Sequence, residues 1–120
     1  DHDGWPDIYC PQAGPWPVDP KTSPRDALYR NRLGTAYQAI TDAARIVETG
    51  FSQGLAVGDF DDDGFDDLYV ANIGRNTLLR NNGDGTFTDV SADAGLTDET
   101  WTVSAAFADF NGDALPDLFD

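Results

Sequence analysis

Asp59-Phe60-Asp61-Asp62-Asp63-Gly64-Phe65-Asp66-Asp67-Leu68-Tyr69 is the stretch on which the reading of this chain turns. It returns fifty residues later, without a gap, as Asp109-Phe110-Asn111-Gly112-Asp113-Ala114-Leu115-Pro116-Asp117-Leu118-Phe119. A shortened copy, Asp1-His2-Asp3-Gly4-Trp5-Pro6-Asp7-Ile8-Tyr9, opens the sequence. Each copy sets oxygen-bearing side chains at alternate positions of a tight loop and then runs into an apolar strand. That spacing predicts a calcium-binding loop, and its recurrence predicts a fold made of like units.

Counting each loop from 1 to 9, Asp59, Asp61, Asp63 and Asp67 fall at positions 1, 3, 5 and 9 of the central copy, and Phe65 offers its carbonyl at position 7. Ligands on alternate residues converge when the chain curls round one ion, and Ca2+ accepts six to eight such oxygens. Mg2+ demands a stricter octahedron, and zinc prefers His or Cys, which the central and last loops lack. The last copy offers Asp109, Asn111, Asp113, Asp117 and the carbonyl of Leu115; the first offers Asp1, Asp3, Asp7 and the carbonyl of Trp5. Gly4 and Gly64 stand at position 6, where the last copy has Ala114. If that position needs φ > 0, Ala costs about 1 kcal/mol, so the last site is expected to be weaker or slightly distorted. One such loop reads equally well as an Asp-rich turn. Three with the same offsets favour the metal, since unpaired carboxylates in one loop repel each other and a cation resolves that.

Charge supports the same reading. Of 22 acidic residues, set against 7 basic ones for a net charge of −15, only Glu48 and Glu99 are glutamate. Aspartate competes for backbone hydrogen bonds and favours turns, so its excess points to loops and to hard, oxygen-ligated cations. A polyanion would repel nucleic acid. The 40 % hydrophobic and 12 % aromatic content is too high for acidic disorder. Cys10 is the single cysteine, so no disulfide closes within these residues. No apolar run approaches the ~20 residues of a membrane-spanning helix, and membrane insertion is not expected. The chain has no Met and begins inside a copy of its own motif, so it reads as a segment of a longer array.

The fifty-residue register extends beyond the loops. Leu28-Tyr29-Arg30-Asn31 matches Leu78-Leu79-Arg80-Asn81, Tyr37 matches Phe87, Ile40 matches Val90, and Phe51 matches Trp101. Within one unit four strands are expected: 54–58, 68–71, 77–80 and 86–90, with a turn at 72–75, a hairpin at 82–85 and a short helical turn at 91–95. Residues 41–48 are permissive for a helix, although the matching segment around Gly95 argues against a long one. Asp3 and Asp63 are sixty residues apart, and the extra ten fall in a proline-rich stretch, 11–24, expected as an extended surface loop. The organisation is therefore the end of a truncated repeat (1–10), an insertion (11–24) and repeat units at 25–70 and 71–120. Such units, stacked, predict an all-β fold of β-propeller blades. About two four-stranded blades of a larger propeller are present, with calcium-binding loops between strands.

Gly58 to Leu68 resembles the FG-GAP/VCBS repeat, and Leu78 to Val90 is similar to the related repeats of bacterial cell-surface propellers. The resemblance implies a seven-bladed β-propeller as in integrin α subunits, with structural Ca2+ between two strands of a blade and ligand recognition elsewhere. Ala114 and the missing first position of the N-terminal loop depart from the pattern.

The expected role is a non-catalytic, calcium-stabilised propeller segment of a secreted or cell-surface protein, serving adhesion, recognition or assembly. Its partner would be an unidentified protein or glycan, with further blades or other copies completing the array. His2, the only histidine, sits between ligand positions, and no Ser-His-Asp set can be assembled. Many carboxylates invite a glycosidase reading, but these recur with the fold rather than forming one opposed pair. An alternative is part of a propeller-fold polysaccharide lyase or hydrolase whose catalytic residues lie outside this segment. An EF-hand-like module would need an acid at position 12 and a following helix; Cys10 and Val70 stand there in the first two copies, and only Asp120 is acidic. Trp5, Phe65 and Leu115 are expected to pack, whereas Trp16, outside the repeat, is the best candidate for a partner contact.

Overall fold

The computed structural model describes residues 1–120 as ten β-strands with no helix. β1 (Ile8–Cys10), β2 (Ala27–Asn31) and β3 (Tyr37–Ala39) form one antiparallel sheet in that order. β4 (Phe51–Gly58), β5 (Asp67–Arg75), β6 (Thr77–Asn81) and β7 (Phe87–Asp89) form the central sheet, and β8 (Glu99–Trp101) pairs the far end of β5. β9 (Ala106–Ala108) and β10 (Asp117–Phe119) make a third, two-stranded sheet.

β5 explains why the sheets lie against each other. Successive side chains of a strand point to opposite faces, and here both faces are apolar and buried. Leu68 and Val70 join Leu28, Ala44, Ile46 and Leu79 in one core. Tyr69 and Ala71 join Ala56 and Leu78 in the other, against which Phe107 and Leu118 of the third sheet also pack. The central sheet is thus covered on one side by the first sheet and on the other by the third. The glycines of β4 follow from this. A Cβ on Gly58 would come within 2.8 Å of the Phe107 ring, and one on Gly54 within 2.6 Å of the Val103 carbonyl oxygen.

Three expectations need correction. β4 begins at Phe51, three residues before Gly54, with a register shift between Ser52 and Gly54. Residues 72–75, read as a turn, remain strand, because Asn72 and Ile73 pair with β4 and Ile73 to Arg75 pair with β8. Residues 41–48 hold no helix; 41–45 and 91–95 are single hydrogen-bonded turns. Ile46 N–H bonds the Thr41 carbonyl at 3.0 Å and Leu96 N–H the Ser91 carbonyl at 2.9 Å, with Arg45 and Gly95 left-handed at φ 59° and 78°. Residues 25–70 hold β2, β3, β4 and the first four residues of β5.

The reversal between the first two strands of a hairpin is built twice. Asn72 N–H donates to Asn76 Oδ1 at 2.8 Å, and Gln12 N–H donates to Asp26 Oδ1 at 2.6 Å. Tyr9 and Tyr69 end in these clusters: the Tyr9 hydroxyl donates to Asp26 Oδ2 at 2.9 Å, and that of Tyr69 donates to Asp120. Asn76 Nδ2 also donates to Thr102 Oγ1 and Asp120 Oδ2, at 2.9 and 3.0 Å. Asp26 has no solvent exposure and Glu48 only 8 %. Burial pushes the Asp26 carboxyl up to about 6, against the opposing pull of the bonds from Gln12 and Tyr9. Sequence reading missed this cluster, because the ten-residue insertion separates Gln12 from Asp26 and hides its match to Asn72 and Asn76.

Candidate metal site

Position 9 anchors each acidic loop. Asp67, at the first residue of β5, is fully buried. Its Oδ2 accepts the Phe60 N–H at 3.0 Å and its Oδ1 the Asn81 N–H at 2.8 Å. One carboxylate therefore ties the start of the loop to the end of β6. The other copies keep part of this clamp: Asp7 Oδ1 accepts the Asn31 N–H at 2.8 Å, and Asp117 Oδ2 the Phe110 N–H at 2.9 Å.

Positions 1 and 5 shape the curl. Asp59 accepts the Asp63 and Gly64 N–H groups at 3.0 and 2.8 Å. Asp109 accepts those of Gly112, Asp113 and Ala114, and these bonds hold its carboxyl below the usual range. Asp3, Asp63 and Asp113 each close an Asx turn by accepting, at 2.9 Å, the N–H of Trp5, Phe65 and Leu115 respectively. Two left-handed residues then alternate along the loop. Position 6 has φ 86° at Gly4, 88° at Gly64 and 69° at Ala114, as the glycines required. Position 4 is left-handed as well, at His2, Asp62 and Gly112, which sequence reading did not anticipate. The last loop thus exchanges the two residues of the central one: glycine moves to position 4 and a Cβ to position 6.

In the central loop the carboxylates of Asp59, Asp61 and Asp67 bring one oxygen each to within 4.8 Å of one another. No basic side chain lies in ion-pair range of any of them. Asp61 accepts no hydrogen bond from the protein and faces solvent. Burial raises the pKa of Asp67, and the Asp61 and Asp63 charges add to that rise against the Asn81 and Phe60 bonds. Oxygens bound at 2.3–2.6 Å to a common ion lie at most about 5 Å apart, so the three are close enough together to share one hard cation. The donor set fits a metal ion.

The remaining predicted ligands are placed differently. Asp63 stays out of the three-carboxylate group, its Oδ1 occupied by Phe65 N–H. In the first loop Arg30 pairs with Asp1 and reaches Asp3 at 3.8 Å, and no three acids converge. In the last loop Asn111 turns its Nδ2 toward Asp117 Oδ1 at 3.4 Å, and no three acids converge there either. Trp5 and Phe65 fold onto the hairpins that follow: a Cβ on Gly34 would clash with the Trp5 ring, and one on Gly83 would lie 2.7 Å from Phe65. Leu115 is half exposed.

A family profile for FG-GAP-like repeats matches residues 1–70 and again 59–119. The chain belongs to the FG-GAP-like repeat family. The two FG-GAP-like matches overlap at 59–70, the central loop and the start of β5, which closes one repeat and opens the next. No curated protein matches the chain. No helix of this FG-GAP-like segment is long and apolar enough to cross a membrane.

Proposed function

We propose that this chain is a calcium-stabilised, non-catalytic segment of a β-propeller, part of a secreted or cell-surface protein that serves recognition, adhesion or assembly. The observation that carries the reading is the convergence of Asp59, Asp61 and Asp67 on a point with no protein cation nearby. Their elements fix the roles. Asp67 is held from the sheet, Asp59 is aimed by the curl it caps, and Asp61 is left as a free ligand. Ca2+ tolerates such an irregular carboxylate set and fills its remaining positions with carbonyls and water, whereas Mg2+ requires a near-ideal octahedron. Bound there, the ion would offset the repulsion among the three carboxylates and pin the β4–β5 connection. Extracellular modules of this kind bind at about 10⁻⁴–10⁻³ M, which suits a secreted protein. The central sheet with its four consecutive strands, and the three- and two-stranded sheets packed on its two faces, support blades of a propeller.

Thermal unfolding with Ca2+, with Mg2+ and with chelator tests the proposal. Calcium at a hundred times its Kd should stabilise the fold by about 2.7 kcal/mol. Asp61→Ala should remove most of that gain without destabilising the chelated protein, because Asp61 makes no bond within the fold and its charge only adds to the repulsion on Asp67. Equal effects of calcium and magnesium would remove the support for calcium.

A further inference from the structure

We propose that the cleft between the proline-rich insertion and the hairpin end of the central sheet receives a basic side chain, arginine or lysine, of a partner protein. The cleft encloses about 570 Å3 between Trp16 and Pro17 of the insertion and Ile73 and Arg75 of β5, with Glu48 and Glu99 in its lining. No residue of the three acidic loops lines it, so it stands independently of the metal site.

The cleft owes its wall to a departure from the repeat. The second reversal runs directly from Asn72 to Asn76, while the first carries the insertion between Gln12 and Asp26. The insertion has its own internal structure. The Asp19 carbonyl accepts the N–H groups of Thr22 and Ser23 at 3.0 and 2.8 Å, and the buried Ser23 hydroxyl accepts the Asp19 N–H at 3.2 Å. Trp16 packs against Phe51 at an interplanar angle of 77°, with ring centroids 6.3 Å apart, yet remains 64 % exposed. A large ring held by one aromatic neighbour and mostly open to solvent is suited to stacking.

Charge selects the occupant. Glu48 is 8 % exposed, and its carboxylate accepts only the Gly50 N–H, at 2.5 Å. Its backbone carbonyl bonds the N–H of Asp26, a second buried acid, and neither acid has a basic partner in ion-pair range. Glu99 makes no hydrogen bond or ion pair through its side chain. Arg75, the cleft's one basic residue, is already 3.8 Å from Asp89. A buried carboxylate without a cation is costly, and an indole face beside carboxylates holds a guanidinium or ammonium by cation–π and charge-assisted bonds together. The net charge of −15 favours the same partner from a distance. A sugar would stack on Trp16 but would leave Glu48 unneutralised.

The test is a two-dimensional NMR titration of the full chain at physiological ionic strength. The probe is a capped hexapeptide with one central arginine among glycine and serine; the controls are a glutamate counterpart and a neutral oligosaccharide. The arginine peptide should shift the Trp16 indole N–H and the amides of Gly50 and Gly74, and the controls should not. Trp16→Ala and Glu99→Gln, both at exposed side chains, should weaken binding by up to about tenfold and about two- to fivefold respectively, the orders expected for a cation–π contact and for an exposed carboxylate partner. Equal shifts around Asp59, equal binding of the glutamate peptide or the sugar, or indifference to Trp16→Ala would each overturn the proposal.

Discussion

The first and second repeats share a backbone and handle charge in opposite ways. In the first, protein groups take charge of the acids: Arg30 sits on Asp1 and Asp3, and Asp26 is sealed in the reversal under the Tyr9 hydroxyl. In the second, the equivalent reversal carries the neutral Asn76, and the only carboxylate its cluster holds is the exposed Asp120, while Asp59, Asp61 and Asp67 converge with no basic partner. Arg80 matches Arg30 in sequence but forms no ion pair with the loop. The repeat thus conveys hydrogen-bond geometry from unit to unit and leaves the charge at each position free to vary. A cluster of carboxylates able to hold a cation follows where the geometry stays and the internal counter-charge is absent.

The largest expected effect separates geometry from charge in the second repeat. Asp67→Ala removes the acceptor of both the Phe60 and Asn81 N–H groups. An unsatisfied polar group in a buried setting costs about 1–3 kcal/mol, so the loss should be on the order of 3 kcal/mol by urea unfolding, in chelator as well as in calcium. Asp61→Ala, which leaves those bonds intact and removes a charge that repels Asp67, should lose no stability in chelator. If both variants lose stability only when calcium is present, Asp67 is a ligand and nothing more, and the clamp is misread.

Next in size is the exchange of the two reversals. Asp26→Asn gives the first repeat the residue of the second. The folded state raises the Asp26 pKa from 3.8 to about 6, so it binds a proton that the unfolded chain releases. The associated stability is present in full below pH 3.8, falls as pH rises through about 6, and stays lost above. Asparagine has no such loss. The variant should therefore be more stable than the parent at pH 7.5, by on the order of 2 kcal/mol, with the advantage shrinking toward pH 4. Urea unfolding at the two pH values measures it, and an advantage independent of pH would show that Asp26 carries no raised pKa.

Sequence reading reached the second repeat more completely than the first. The Asp59 and Asp109 loops announced themselves because ligand spacing and glycine placement are local, and the strands after them because Leu68 to Val70 has no polar residue to misplace. What stayed hidden was non-local. Asp67 looked like one ligand among several, since its clamp depends on Asn81, fourteen residues on in another strand. The Tyr9–Asp26 cluster was masked by a change of register: Tyr9 aligns with Tyr69 at sixty residues, but Asp26 aligns with Asn76 at fifty. Noting that both flanks of the insertion carry polar residues matching Asn72 and Asn76 would have found it. The 72–75 segment was misjudged because Asn, Gly and Arg suit a turn, whereas β4 and β8 hold it as strand from either side.

The smallest effect extends the comparison to the third copy, where the two left-handed positions are exchanged. A Cβ added at Gly64 or Gly112 would meet nothing within 4 Å, so any penalty there is conformational and not a clash. Ala114 at φ 69° already bears that penalty, and Ala114→Gly should gain about 1 kcal/mol. Gly64→Ala should lose a similar amount, again about 1 kcal/mol, from the central loop. Asp62 at φ 56° should respond less to glycine, because aspartate tolerates the left-handed region better than alanine does. If Ala114→Gly leaves urea unfolding unchanged, the glycine at Gly112 has relaxed the whole curl. The two positions would then act as one hinge that accepts its single glycine at either end.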